Sequence, residues 1–108
     1  MDPKQKILNL ISLATKAGKV KTGEFSTERS VKTGRACLVI VAEDASENTK
    51  KMFRDMCGYH HVESFCFSSK IVLGHACGKE MRASLAVEDK GLAAAIRKQM
   101  TMNGGSEV

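Results

Sequence analysis

The sequence predicts an α/β sandwich with helices on both faces of a small sheet, and three observations carry that prediction. Segments with helical apolar spacing alternate with short strand-like runs along the chain. One such run, ACLVIVA at Ala36 to Ala42, is continuously apolar and rich in β-branched residues, the pattern of a central strand covered on both faces. The length, 108 residues, suffices for one hydrophobic core and not for two. A single domain over residues 1–101 follows, with 102–108 (MNGGSEV) a frayed, disordered tail.

The elements follow in order. Asp2-Pro3 offers a cap and then proline at the first helical position, and Ile7, Leu8, Ile11 and Ala14 recur at helical spacing until Gly18. Lys19 to Gly23 has room only for a brief strand or loop. Glu24 to Thr33 predicts a mostly polar helix that buries little beyond Phe25 and Val31, closed by Gly34. EDAS ends the central strand, and Asp44 or Ser46 caps a third helix to about Cys57. That helix turns Met52, Phe53, Met56 and Cys57 inward and Lys50, Lys51 and Arg54 outward. Val62 to Phe67 is a strand, Ser69 caps a short helix through Gly78, Ala83 to Val87 is a strand, and Lys90 to Met100 is the last helix. No repeat or internal linker is evident.

The net charge is +5, and its placement says more than its size. Residues 1–35 hold eight Lys and Arg (Lys4, Lys6, Lys16, Lys19, Lys21, Arg29, Lys32, Arg35) against three acids, whereas the remainder balances nine against nine. A one-sided positive field in the first third suggests a polyanionic partner; a merely solvated basic face is the bland alternative. Asn9, Ser12, Thr15 and Lys16 interrupt the N-terminal apolar pattern, so it lacks the character of a signal peptide, and no run approaches membrane-spanning length. A cytoplasmic, soluble protein with no membrane partner is expected.

LGHACGKEM, Leu73 to Met81, invites a metal or nucleophile reading. Residues two apart on a helix point about 200° apart, so His75 and Cys77 do not face one ion, and His60-His61 lacks the spacing of a structural zinc motif. Cys37, Cys57, Cys66 and Cys77 sit in apolar stretches with no CxxC pair, which reads as reduced core cysteine. Gly74 and Gly78 clear one stripe of the short helix for close packing on a neighbour, with Cys77 on the inward face. No P-loop, GxGxxG, GxSxG or isolated carboxylate pair is present. No cofactor and no metal are expected.

Taken together, LATKAGKVKTGE, ACLVIVAEDAS, SSKIVLGHACGKEMRAS and the final helix resemble the kink-turn-binding ribosomal protein superfamily, in unbroken order over roughly residues 4–99. LVIVAEDASENTKK and LGHACGKE look most similar to its small bacterial YlxQ-type branch. The resemblance implies a three-layer α/β/α sandwich with a small mixed central sheet that binds structured RNA without catalysis. It places the RNA surface on the loop and start of the second helix, the turn after the central strand, and the loop after the glycine-containing helix. Gly23 matches the glycine of a G-x-N-E motif and Lys21 a basic position before it, with Thr22, Glu24, Phe25, Ser26 and Arg29 around them. Asp44 lies in the turn. Lys70 matches a lysine eight residues before the helix-ending glycine Gly78, and Lys79, Glu80, Met81 and Arg82 match a loop that shelters a flipped-out nucleotide.

This chain departs from the pattern twice. The Asn-Glu pair that reads sheared G·A pairs is Phe25-Ser26, and the proline of the last loop is Arg82. The implied partner is structured RNA, ribosomal or other, with ribosome association as one setting and a monomer as the binding unit. His75 is then a surface residue. Two competing readings are a protein-interaction adaptor that kept the fold and lost the RNA site, and a small Cys/His hydrolase. Phe25 itself is open to three roles: interface anchor, base-stacking platform or buried helix residue.

Overall fold

A computed structural model describes residues 2–104 and 106–108. Helix α1 spans Pro3–Lys16, with the Asp2 carboxylate accepting the Lys4 N–H at 3.1 Å, and it buries Ile7, Ile11 and Ala14. Strand β1 (Val20–Thr22), helix α2 (Glu24–Lys32) and the fully buried strand β2 (Leu38–Val41) follow. Then come α3 (Glu47–His60), β3 (Glu63–Cys66), α4 (Lys70–Ala76), β4 (Ser84–Val87) and α5 (Lys90–Gln99). A π-helical turn, Met100–Gly104, and a two-residue strand β5, Ser106–Glu107, complete the chain.

The sheet order is β1-β4-β2-β3-β5, with β2 and β3 parallel and the remaining pairs antiparallel. This is the mixed sheet of a three-layer sandwich: α1 packs with α4 and α5, and α2 packs with α3. Leu38, Ile40, Leu85, Phe67, Phe53, Leu73, Ile96 and Met100 fill the core with no solvent-exposed surface of consequence. One topological consequence governs the rest. Thr22 pairs with Leu85, Val41 with Ser84 and Val41 with Cys66, so the ends of β1, β2 and β3 and the start of β4 meet at one edge of the sheet. The segments after β1, β2 and β3 and before β4 are thereby gathered.

Several expectations are corrected. Phe25 does not lie in the core; it is 73% exposed. Helix α2 buries Val31 as expected, but with Thr27 and Ser30, an i, i+3, i+4 face made mainly of small polar residues, and Phe25 sits two residues before Thr27 on the opposite side. Polarity is tolerated because Ser84 Oγ bonds Thr27 Oγ1 at 3.3 Å and Ser30 Oγ donates to Glu88 at 2.6 Å. Helix α3 continues past Cys57 to His60, because His61 takes the left-handed conformation (φ 59°) and Val62 N–H closes onto Cys57 C=O. Its cap is Ser46, whose hydroxyl accepts from Thr49 N–H, not Asp44.

Gly74 and Gly78 do not form one helical stripe, since α4 stops at Ala76 and Gly78 lies beyond its cap with φ 72°. In the expected tail, residue 105 lies outside the described residues. Beside it, Ser106–Glu107 pairs with Cys66 and Phe65, covering the edge that β3 would otherwise leave open.

Candidate functional site

The edge where the strand ends meet carries nearly all the residues singled out in the sequence. Gly23 follows β1 with φ 91°, a conformation that favours glycine, and its N–H donates to Ser84 C=O at 2.9 Å. It caps α2 without a side chain, so the first-turn N–H groups of that helix have no side-chain acceptor. Such an N-terminus carries partial positive charge. Around it, Lys21, Phe25 and Arg29 are exposed, and Ser26 is half-buried. Glu24 is exposed and sits in the first turn.

On the other side of β4, the loop Lys79 to Arg82 folds back on α4. Lys79 N–H donates to Gly74 C=O at 2.8 Å and Arg82 N–H to Lys70 C=O at 2.9 Å. A side chain at position 74 is excluded: a Cβ there would lie 2.6 Å from Met81 Cα and 2.7 Å from Met81 N. The close approach expected of this glycine is therefore to the following loop rather than to another helix. Arg82 Nε donates to Thr22 Oγ1 at 3.2 Å, which moors the loop to the last residue of β1. Met81 is half-exposed, and it lines an open hollow with Ile71, His75, Glu80 and Arg82.

Asp44 belongs to the same edge by a structural route. Its Oδ1 accepts the Lys70 N–H at 2.9 Å, so the turn after β2 holds the start of α4, where Ser69 Oγ accepts from Val72 N–H. Lys70 is half-buried at the head of α4.

The charge is available. Among the described residues the ion pairs are Lys32–Glu28, Lys50–Glu47, Lys51–Asp55 and Arg97–Glu63. Lys21, Arg29, Arg35, Lys70 and Lys79 are in none of them. Sequence reasoning missed a hollow beside α2 lined by Lys21, Phe25, Arg29, Arg35 and Glu88. Arg35 counts among the cations of the first third, but nothing in the sequence shows that the end of β4 brings Glu88 to the same hollow.

Cys57, Cys66 and Cys77 are buried as core groups, whereas Cys37, expected in the core, is half-buried. Burial pushes the Cys77 thiol up, only partly offset by the Thr15 side chain, Arg82 and Lys79, which disfavours a thiolate nucleophile. Burial likewise raises Cys57, to about 11, and Cys66. Among the described residues no three His, Cys, Asp or Glu side chains converge as a metal ion would require. Among the described residues no helix is long and apolar enough to cross a membrane.

A family model described as the ribosomal protein L7Ae/L30e/S12e/Gadd45 family matches residues 5–96. RNA-binding protein YlxQ of Bacillus subtilis (strain 168) is 43% identical over 84 residues, 78% of this chain and 84% of that protein. RNA-binding protein YlxQ of Enterococcus faecium is 41% identical over 90 residues, 83% of this chain and 86% of that protein. Among solved structures, a protein of unknown function from Bacillus halodurans C superposes with a TM-score of 0.86 at 32% identity, covering 89% of this chain and 97% of the other.

Proposed function

The chain belongs to the ribosomal protein L7Ae/L30e/S12e/Gadd45 family, and from that premise we propose that it is a non-catalytic protein that binds structured RNA, ribosomal or kink-turn-like, in the cytoplasm through the edge where its strand ends meet. The supporting observation is the company of the α2 N-terminus. A helix end with no side-chain cap, the cations Lys21, Lys70 and Lys79 with Arg29 further along α2, none of them ion-paired among the described residues, and the moored loop Lys79 to Arg82 support this reading. Phosphate oxygens suit both the N–H groups and the cations. The binding unit is the domain of residues 1–101.

The test is an RNA titration at low and physiological salt with a kink-turn, a ribosomal fragment and a control stem. Affinity is expected to fall steeply with salt. Lys21→Ala and Lys70→Ala each weaken binding and reduce the salt slope by about one, while stability shifts by less than about 0.5 kcal/mol. Lys98→Ala, an exposed cation on α5, leaves binding unchanged. Equal and negligible binding of all three RNAs at both salts would move the protein to the adaptor reading, in which the exposed Phe25 anchors a protein partner.

A further inference from the structure

Beside α2, where Lys21 of β1 and Glu88 just past the end of β4 come together, lies an open hollow of about 240 Å³, enough for one flat heterocycle. Its walls differ in chemistry. Phe25 supplies an aromatic side chain that is 73% exposed. Lys21, Arg29 and Arg35 supply positive charge. Glu88 is the only carboxylate among its lining residues.

Glu88 is held in place. Its N–H donates to Lys19 C=O at 2.7 Å, and its Oε2 accepts the hydroxyl of Ser30, itself 3% exposed, at 2.6 Å. Yet it is ion-paired with none of the cations that line the same hollow, and its other oxygen accepts no hydrogen bond among the described residues. A carboxylate offers roughly four acceptor sites, so most of its capacity is open to a ligand.

We propose that this hollow takes one unpaired guanine of the bound RNA, stacked on Phe25 with its Watson–Crick edge on Glu88. The inference rests on the RNA-binding reading above and adds a base preference to it. Guanine alone carries two adjacent donors on that edge, N1–H and the N2 amino group, to match the oxygens of a carboxylate. Adenine and cytosine pair one amino donor with an acceptor nitrogen, and uracil flanks its single N–H with two carbonyls that a carboxylate repels. Stacking needs only a π-face and is indifferent to the base, so the discrimination falls to Glu88. Lys21, Arg29 and Arg35 take the flanking phosphates.

The experiment uses the full chain and four single-stranded nonamers of uridine whose central residue is uridine, adenosine, guanosine or inosine; inosine lacks only the N2 amino group. The guanosine strand is expected to bind roughly tenfold tighter than the inosine strand. Glu88→Gln should abolish that preference while its side-chain carbonyl keeps the Ser30 hydrogen bond and the melting temperature holds. Phe25→Ala should weaken all four strands by roughly tenfold. A kink-turn titration in parallel separates the failures. If structured RNA is not bound at all, the RNA-binding reading falls. If it is bound while guanosine and inosine strands are equivalent, or neither strand binds, or Glu88→Gln keeps the preference, the guanine hollow falls alone.

Discussion

Arg82 and Thr22, sixty residues apart in the chain, share a hydrogen bond of 3.2 Å from guanidinium to hydroxyl. The bond joins the loop before β4 to the last residue of β1, one position before the glycine that caps α2. Arg82 also turns Nη1 onto Met81 C=O at 2.7 Å, and its backbone N–H donates to Lys70 C=O at 2.9 Å. Proline, which the family resemblance would place here, has no N–H and could not make that last bond. The arginine therefore orders the loop by tethering it, where proline would order it by stiffening one backbone angle.

A double-mutant cycle tests the tether. Thr22→Val removes the acceptor at nearly constant volume, and Arg82→Ala removes the donor. Each should weaken RNA binding severalfold and lower stability by about 0.5–1.5 kcal/mol, the net worth of one hydrogen bond. The two effects should not add, because either change frees the same loop. Additive losses of affinity would mean that Arg82 acts through its charge alone.

Gly74 gives a second prediction. Valine there would be forced into the backbone of Glu80 and Met81, with contacts that start at 2.6 Å for the Cβ alone. Neither α4 nor the loop can yield without breaking the Lys79–Gly74 and Arg82–Lys70 bonds. Gly74→Val is expected to destabilise by about 1–3 kcal/mol, read as a fall of several degrees in melting temperature. An unchanged melting temperature would contradict the close packing.

These two features divide what was legible in the sequence from what was not. The α/β layering, the central strand and the caps Asp2 and Ser69 were legible because periodicity and cap chemistry are local. An aromatic in a polar helix looks like its apolar anchor, which makes Phe25 a core candidate by local pattern alone. In fact α2 uses Thr27 and Ser30, whose hydroxyls find partners on β4 and beyond it. Such partners are fixed by sheet order, which no local pattern reveals. The same holds for Asp44, which could be read as a cap for α3 but serves α4, and for Glu88, invisible until β4 lies beside β1.

Burial of cysteine makes a prediction about pH. Cys57 is 1% exposed, and its thiol is raised from the ordinary 9.0 to about 11. Below pH 9 both folded and unfolded chains hold the proton, and the stabilisation is fully present. Between pH 9 and about 11 the unfolded chain releases the proton while the folded chain keeps it, so stability falls as pH rises, by up to about 1.4 kcal/mol per pH unit for one thiol. Cys66 and Cys77, raised in the same direction, steepen the decline. Urea denaturation from pH 8 to 10.5 should show it, and Cys57→Ala, though less stable throughout, should give a flatter profile. Parallel profiles would place the alkaline sensitivity elsewhere.

The last prediction addresses the point where this chain departs from the G-x-N-E pattern that the family resemblance implies. Phe25 and Ser26 occupy the first turn of α2, one exposed and one half-buried, at the positions where the resemblance would place Asn and Glu. Because neither belongs to the core, both can be changed without opening a cavity, and a glutamate in the first turn is favoured by the helix dipole by about 0.3–1 kcal/mol. Phe25→Asn alone supplies one edge-reading group and leaves position 26 without a carboxylate, so little gain is expected from it. The double change Phe25→Asn with Ser26→Glu restores both, and it should gain affinity for a standard kink-turn over a control stem while losing any affinity that stacking on Phe25 provided. The two RNAs should be titrated at matched salt, because the added carboxylate lowers the net charge and weakens non-specific binding to both; the ratio of affinities, not either value, carries the result. An unchanged ratio would mean that RNA approaches this edge along a different path, with the α2 N-terminus contributing charge and backbone donors but no base reading.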